Sequence, residues 1–349
     1  MIFYEMSEMQ RKVYIDTAQV YAGYVAAFKK SKKYSGGMHW KKAKGREYLF
    51  RTLDRYGYGK SLGPRSSATE RTLTEFRSAK SQTNNKLKAL KERLKEQSRF
   101  GKAAMINRVP KIVTGILRLL HQYNILGRNV IIVGTNAMYA YEAAAGGFLD
   151  SPLLATQDMD ILWDIRPKLN IVTDIDPKHT GLLGIVRKVD KTFELLQAES
   201  FRAVNKNGFM VDLIKSEPKG LLQKEPVRMG EADDFKAAEI QNLHWLLSAP
   251  KFSQIVIGED GYPAEMVVPD PRAFVLHKLW LGKQKDREPI KKKRDHAQSK
   301  AIAKVILTHL PQYNFEASEL RMFPKNVVEE AQKTVFNLAL PNDLNSDEK

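Results

Sequence analysis

The chain of 349 residues contains no cysteine. This absence excludes disulfides, zinc sites with thiolate ligands, iron–sulfur clusters and catalysis by a cysteine nucleophile. No run approaches the roughly 18 apolar residues that a membrane-spanning helix needs, so we expect no membrane partner. Residues 1–20 carry acids before bases and lack a long apolar run, which is not the pattern of a secretory signal peptide. We therefore expect a cytoplasmic protein.

Several catalytic signatures are missing as well. The seven histidines show no HExxH or similar metal-ligand spacing. No Walker motif is present, and no GxSxG or GxGxxG follows a predicted strand. The composition, 43% hydrophobic and 28% charged, is that of a globular protein with one large domain or two ordinary ones.

Positive charge is abundant and unevenly distributed. The net charge is +17, from 57 Lys and Arg against 40 Asp and Glu. Residues 1–100 hold 23 of the bases and 9 of the acids, whereas the remaining residues hold 34 and 31. Because such an asymmetry concerns binding partners more than the fold, we expect a basic module over residues 1–125 ahead of a nearly neutral part.

Aromatic residues alternate with the bases of this module, as in Phe28-Lys29-Lys30 and His39-Trp40-Lys41-Lys42. Cations suit phosphate contacts and rings suit base stacking, so the pattern predicts a nucleic-acid interface. The alternative is an ordinary solvated surface. The expected contact residues are Lys41, Lys42, Lys60 and Arg65.

The module is predicted to be mainly helical. Apolar spacing indicates helices over residues 5–30 and 109–123, a short one over 42–54, and a long charged one over 70–100 capped by Ser67 or Thr69. A glycine-rich loop over 56–67 could bind an anion through backbone N–H groups and its cations, although it lacks Walker order.

From residue 126 the pattern changes to a mixed α/β fold. Strands are predicted over 129–133, 159–163, 200–204, 209–214, 254–257 and 266–268. Helices are predicted over 136–145, 180–196, 271–281 and 295–310. We assign residues 126–270 to a core of mixed sheet flanked by helices, 271–340 to a C-terminal helical region and 341–349 to a frayed tail.

Three aspartates mark the predicted sheet. Asp158 and Asp160 open one strand, and Asp212 lies in a later one. Residues i and i+2 of a strand point to the same face, so Asp158 and Asp160 project together and Asp212 could join them. Such carboxylates repel one another and are oxygen ligands suited to Mg²⁺ or Mn²⁺. The alternative is three unrelated surface acids at strand ends.

A turn ahead of these acids fits the same chemistry. Gly134, Thr135 and Asn136 join a buried strand to a helix. Glycine lets the backbone approach a ligand closely, and a hydroxyl beside the first N–H groups of a helix can bind a triphosphate.

Taken together, the segments IIVGTNAMYAYE, ATQDMDILWD and GFMVDLI resemble the DNA-polymerase-β-type nucleotidyltransferase superfamily. They are most similar to uncharacterised bacterial members near the abortive-infection-type and minimal nucleotidyltransferases. The resemblance covers roughly residues 128–310 and implies a mixed-sheet core with metal-dependent nucleotidyl transfer. It is weaker in one place: the gap between Thr135 and Asp158 is longer than usual, which an insertion around 146–154 would explain.

The resemblance also implies roles for the site residues. Gly134 and Thr135 would bind the β- and γ-phosphates, and Asp158 and Asp160 would hold both metal ions. Asp212 would hold the catalytic ion and help deprotonate the acceptor hydroxyl.

Further residues follow from the downstream segments PRAFVLHKLWL and KKKRDHAQ. Lys278 and Arg294 would contact the triphosphate, Arg294 being one of four cations at 291–294 placed just before the last predicted helix. Asp295 is expected only to cap that helix. Thr156 stands directly before the acidic pair, where relatives often have Thr or Ser.

The sequence therefore predicts an enzyme that moves NMP from an NTP to a hydroxyl, with Mg²⁺ or Mn²⁺ as cofactor and pyrophosphate as product. RNA such as tRNA is the expected acceptor, held by the basic module. Three alternatives stay open: transfer of AMP to a protein hydroxyl, a toxin–antitoxin or phage-defence component, and a non-catalytic nucleotide- or RNA-binding module.

Overall fold

The computed structural model describes residues 3–54, 56–167, 181–197, 199–218, 226–230 and 233–339. The predicted tail over 341–349 lies outside them. The chain divides into two compact units. The larger unit comprises Met1–Arg11, Arg108–Glu259 and Ala264–Lys349, and the smaller unit comprises Lys12–Asn107 and Asp260–Pro263. This division falls at residue 107 rather than 125, and it keeps the core and the C-terminal helices together.

The elements are numbered in chain order. The helices are α1 (Glu8–Lys32), α2 (Ser67–Ala103), α3 (Lys111–Gln122), α4 (Met138–Ala144), α5 (Ser151–Leu154), α6 (Leu182–Val189), α7 (His244–Ser248), α8 (Pro271–Leu281), α9 (Pro289–His309) and α10 (Lys325–Ala339). The strands are β1 (Phe3–Glu5), β2 (Gly37–Ala43), β3 (Arg46–Thr52), β4 (Gly59–Pro64), β5 (Val130–Val133), β6 (Gly147–Leu149), β7 (Asp158–Trp163), β8 (Glu194–Leu195), β9 (Arg202–Val204), β10 (Met210–Ser216), β11 (Ala238–Ile240), β12 (Lys251–Ile257) and β13 (Pro263–Pro269).

An antiparallel sheet β2-β3-β4 occupies the smaller unit. Lys44 and Gly45 form the turn between β2 and β3, with φ of 47° and 74°. A two-residue turn with positive φ at both positions joins antiparallel strands of the right twist. The predicted helix over 42–54 is therefore wrong, because this segment contains the end of β2, the turn and β3. Leu49 of β3 is completely buried.

The two long helices of the smaller unit are close to their predicted positions. The N-cap of α2 is Ser66, not Ser67 or Thr69: its hydroxyl accepts from the Thr69 N–H at 3.3 Å, and the Thr69 hydroxyl accepts from the Ser66 N–H at 2.9 Å. Helix α1 packs along α2, where Thr17 donates to Gln97 at 3.3 Å. Strand β4 takes up half of the predicted anion-binding loop over 56–67.

The larger unit is built on a mixed sheet in the order β5-β7-β10-β9-β8, with β11 also paired to β10. Strands β7 and β10 are parallel, whereas β5 runs antiparallel to β7 and β9 antiparallel to β10. All four residues of β5 are buried, although it is the terminal strand of this order. The predicted mixed α/β fold is confirmed.

The C-terminal helices α8, α9 and α10 pack on one another. Helix α8 matches its predicted span, whereas α9 begins at Pro289 and not at 295. The basic run 291–294 therefore lies within α9, and Asp295 is an internal residue of that helix and not its cap. Helix α10 was not predicted. None of the helices in the described ranges is long and apolar enough to cross a membrane.

Candidate active site

The structure brings the three aspartates to one face of the central sheet. Strands β7 and β10 are parallel and in register, so Asp160 and Asp212 are directly paired and Asp158 is paired with Met210. Paired residues of neighbouring strands point to the same face, and Asp158 points there too because it lies two residues from Asp160. The pairing of two strands distant in sequence thus creates an acidic cluster.

Gly134 forms the floor under this cluster. It follows β5, with φ of 66° and ψ of −153°, a backbone conformation almost restricted to glycine. A Cβ at this position would lie 2.1 Å from Oδ2 of Asp160. The absence of a side chain therefore lets the Asp160 carboxylate rest on the turn, a requirement separate from any phosphate binding.

The Asp160 carboxylate is electrostatically strained. Burial is the main cause that raises its pKa to about 7, and the neighbouring Asp158 and Asp212 raise it further, against the opposing pull of Lys278 and Arg202. The raised pKa means that the ionised form of the carboxylate is destabilised in this environment. A cation bound beside the carboxylate stabilises that ionised form. The cluster is therefore a site that attracts positive charge.

Asp212 already has a cationic partner. Nε of Arg202 donates to its Oδ1 at 2.8 Å, and Nη2 of Arg202 donates to its Oδ2 at 2.6 Å. The two residues are paired across β9 and β10, and Arg202 also donates to Glu199 at 2.8 Å. Sequence reasoning missed Arg202, because counting outward from the predicted Asn205–Gly208 turn pairs Asp212 with Phe201, one residue away from the register in the structure.

Asp158 is tied to the loop before it and to the glycine turn. The Thr156 hydroxyl hydrogen-bonds its carboxylate, and the side-chain amide of Asn136 donates to its main-chain carbonyl at 2.7 Å. Asn136 is almost fully buried, and its Oδ1 has no hydrogen-bond partner. Asn136, predicted to bind nucleotide, thus fastens the turn to β7.

Thr135 is hydrogen-bonded to a residue of the C-terminal helices. Its buried hydroxyl accepts a hydrogen bond from Nε2 of Gln298 at 3.1 Å, and the same amide nitrogen donates to the Leu153 carbonyl at 2.8 Å. Helix α9 therefore fixes the turn that sequence reasoning assigned to phosphate binding. The amide of Gln298 carried no sequence signal, since only packing brings α9 here.

Lys278 and Arg287 form a buried ion cluster with Asp295. Lys278 donates to Oδ1 of Asp295 at 2.7 Å, and Arg287 donates to Oδ2 at 2.9 Å. Burial lowers the pKa of Lys278, and Asp295 opposes that change. Burial alone would raise the pKa of Asp295, but the two cations hold it below its ordinary value. Asp295 therefore anchors two cations instead of capping a helix.

A cavity of about 400 Å³ opens beside the acidic cluster. Its polar wall includes Asp160, Asp212, Arg202, Lys278 and Arg287. Much of the remaining lining is apolar, and it includes Phe201, Ile214, Ala238, Ile240, Leu243, Leu246, Pro269, Phe274 and Leu281. A mainly apolar lining with a few polar groups is typical of small-molecule sites.

Two sequence predictions for this wall differ in outcome. Lys278 faces the cavity, but Arg294 is not among the lining residues, and its Nε is buried without a hydrogen-bond partner.

His277 also lines the cavity, and its Nε2 has no hydrogen-bond partner. Burial, with a smaller contribution from Lys278, lowers the pKa of His277 to about 3, so the ring is neutral. Arg287 and His277 were missed because nothing in their local sequence distinguishes them.

The donor set fits a divalent ion in part. Among the residues that the structure describes, no group of three or more His, Asp and Glu side chains is arranged to hold a metal ion. Asp158 and Asp160 offer adjacent carboxylate oxygens, which suit Mg²⁺ or Mn²⁺. Both oxygens of Asp212, in contrast, are taken by Arg202. The pair Asp158–Asp160 fits one ion, and Asp212 as placed does not complete the set.

The four predicted nucleic-acid contacts are exposed residues of the smaller unit. The strand register puts Lys42 and Lys60 on one face of its sheet and Lys41 on the other, where Lys41 lies 5.1 Å from the centre of the Phe50 ring. Arg65 is engaged by Glu47 at 2.6 Å and Glu70 at 2.8 Å. The first three cations are therefore more available to phosphate than Arg65.

Two exposed rings accompany these cations. Tyr56 and Tyr58, between β3 and β4, are each 72% exposed. Exposed rings beside free lysines are what base stacking and phosphate contacts need. The sequence already placed these rings among the bases, with Tyr58 two residues from Lys60, and the structure adds that both rings are exposed.

A carboxylate cluster on a sheet beside a cavity is an arrangement suited to transfer of phosphorus-containing groups. A family model described as nucleotidyltransferase matches residues 111–323, more than half of the chain. The chain therefore belongs to this nucleotidyltransferase family. No curated protein and no solved structure matches it.

Proposed function

We propose that the protein is a metal-dependent nucleotidyltransferase that moves NMP from an NTP to a hydroxyl and releases pyrophosphate. One observation carries the proposal: the desolvated Asp160 carboxylate is paired in register with Asp212 and rests on the glycine turn at Gly134. A carboxylate cluster on a rigid sheet beside a cavity is suited to phosphoryl chemistry with a divalent ion.

The acidic and the basic residues of the site would have different roles. Asp158 and Asp160 would hold Mg²⁺ or Mn²⁺, which when bound would neutralise negative charge on the phosphates. Lys278 and Arg287 face the same cavity and would stabilise the charge that develops on the departing pyrophosphate. Because Asp295 holds both cations, they need little rearrangement when a phosphate enters.

The reaction requires one bond to form and one to break. The acceptor oxygen bonds to the α-phosphorus, the bond from that phosphorus to pyrophosphate breaks, and the hydroxyl proton goes to a base. Asp212 is the base that we propose, since its carboxylate borders the cavity. The bidentate Arg202 keeps this carboxylate in one orientation.

RNA, such as tRNA, is the acceptor that we propose. The smaller unit carries 23 Lys and Arg against 8 Asp and Glu, with free lysines next to exposed tyrosines. Such a surface binds a phosphate backbone and unstacked bases. A cytoplasmic location is part of the same proposal.

The test is transfer of label from each of the four α-³²P-labelled NTPs to total RNA or to proteins of a lysate, with Mg²⁺ present. We expect label in RNA from the wild type, and a loss of about a thousandfold or more with Asp158→Ala/Asp160→Ala. Asp286→Ala, at an exposed acid of the same unit, is the matched control. Equal labelling by the wild type and the double variant would refute catalysis by these carboxylates.

The same experiment separates the other functions that the sequence left open. Label in a protein band and not in RNA would indicate AMP transfer to a protein hydroxyl. Binding of NTP without any transfer would indicate a non-catalytic module. For a toxin or phage-defence role, as in the abortive-infection-type relatives suggested by the sequence, growth arrest on expression should disappear with Asp212→Ala.

A further inference from the structure

Arg202 stands where a set of three metal-binding carboxylates would need free oxygens. It lies directly opposite Asp212 in the register of β9 and β10, and its two donors reach both carboxylate oxygens at 2.8 and 2.6 Å. A planar guanidinium bound in this way satisfies a carboxylate with fixed geometry. The contact therefore neutralises the charge of Asp212 and also places a hydrogen-bond donor on each of its carboxylate oxygens.

The position of Arg202 is itself fixed. Nη1 of Arg202 donates to Glu199 at 2.8 Å, and the guanidinium carbon lies 5.3 Å from the centre of the Phe201 ring. Asp212 is buried, and only a quarter of the Arg202 side chain is exposed. Ion pairs held in this way do not open as readily as pairs at an exposed surface, because the ions are partly desolvated and the side chain has other partners.

We propose that Arg202 takes the place of a second divalent ion at this site. In the absence of nucleotide, Asp158 and Asp160 bind one ion, while Arg202 holds Asp212 and supplies the second positive charge beside the cavity. This inference rests on the proposed function for its metal dependence. It adds that the carboxylate of Asp212 binds Arg202 and not a second metal ion.

The consequence is a countable number of bound ions. With Arg202 present, each oxygen of Asp212 already accepts a hydrogen bond from a guanidinium, so a second ion would have to bind beside that positive charge and is repelled by it. Removing the guanidinium leaves both oxygens of Asp212, beside Asp160, without the donor that they have in the wild type, and this arrangement raises the affinity for a divalent ion. The nucleotide is left out of the measurement because its phosphates bind metal themselves.

The experiment is a Mn²⁺ titration of the full chain without nucleotide, with free Mn²⁺ followed by electron paramagnetic resonance. We expect about one ion for the wild type and about two for Arg202→Met. Arg202→Lys keeps a cation at this position and should stay near one ion. Arg166→Met is the matched control, because Arg166 makes a similar two-pronged contact with Asp164 outside the cluster.

Each outcome has a clear meaning. Two ions bound by the wild type, or the same number and affinity in Arg202→Met, would overturn the role of Arg202 while leaving metal-dependent transfer intact. No ion bound by the wild type would overturn this proposal together with the metal dependence, and the labelling assay would then show whether transfer itself survives. If Arg202→Met does not fold, the ion count of the wild type and of Arg202→Lys still decides.

Discussion

The two units of this chain use the same charged residue types in opposite ways. In the larger unit the charges at the site are buried and individually paired, as in Arg202 with Asp212 and Lys278 with Asp295. In the smaller unit bases outnumber acids by 23 to 8, and the lysines of its sheet, such as Lys41 and Lys60, are exposed.

The comparison shows that burial decides how much a single charged side chain contributes to stability and binding. A desolvated ion interacts strongly with its neighbour and costs several kcal/mol when left alone. An exposed ion is screened by water and salt, contributes little by itself, and acts through numbers. Single substitutions should therefore have large effects in the larger unit and small, salt-dependent effects in the smaller one.

The largest expected effect concerns the buried ion cluster. Asp295→Asn leaves Lys278 and Arg287 without their shared counter-ion, so we expect the free energy of unfolding to fall by about 3–5 kcal/mol. Urea denaturation measures this change. Asp286→Asn, at an exposed acid nearby, should change it by less than about 0.5 kcal/mol. Similar losses in the two variants would contradict the contrast between buried and exposed charge.

The second prediction separates two reasons for glycine at the turn. Gly134→Ala adds a Cβ that collides with Asp160, so transfer should fall about a hundredfold and stability by about 1–3 kcal/mol. Gly146 has almost the same φ, 67° against 66°, but open space around its Cβ. Gly146→Ala should cost about 1 kcal/mol of stability and leave the rate of transfer unchanged. If both variants retain full transfer, the contact with Asp160 is unimportant for the reaction.

The third prediction concerns pH. Since the pKa of Asp160 is raised to about 7, protons compete with Mn²⁺ below that value, and affinity should rise about tenfold per pH unit from 5.5 to 6.5 and level off above 7.5. Without metal the sign reverses for stability. The raised pKa means that stability is lost as pH increases from the ordinary aspartate value to about 7.

Titrations of Mn²⁺ and thermal melts at pH 5.5, 6.5, 7.5 and 8.5 check both parts of this pH prediction. Asp160→Asn should reduce the pH dependence of the metal-free melt, and part of it should remain because burial also raises the pKa of Glu142 to about 7. Metal affinity that is flat across this range would show that Asp160 is not a ligand.

The smallest effects are expected in the smaller unit. Lys41→Ala and Lys60→Ala should each reduce the slope of log affinity for RNA against log salt by about 1. Arg65→Ala should change it less, because Glu47 and Glu70 already engage that guanidinium. Filter binding from about 50 to 200 mM salt provides the slopes. RNA affinity that does not depend on salt would remove the basic surface from the proposed function.

Several strands and helices of the larger unit were predictable because their signals are local. The apolar run of β5, the Asn-Gly turn between β9 and β10, and the proline at the start of α8 each fix an element within a few residues. The smaller unit was harder, since the Lys44-Gly45 turn is less distinctive and the strands around it carry many charges. A hairpin was consequently mistaken for a helix.

The sequence by itself determined the composition of the site: a glycine turn after a buried strand, two acids at alternate positions of the next strand, and a third acid later. Residues within one element have fixed relative directions, so spacing alone was enough to propose their chemistry. The same reasoning assigned the basic charge to the N-terminal part of the chain.

Only the tertiary structure decided which charges meet. Arg202 reaches Asp212 through the pairing of strands, Gln298 reaches Thr135 through the packing of α9, and Asp295 holds two cations because α9 begins a turn and a half earlier than its composition suggested. These contacts join residues that are between 8 and 163 positions apart in the chain, and their strength depends on the exclusion of water. Neither distance nor burial is encoded in local spacing, so the partners of the predicted acids became known only from the folded chain.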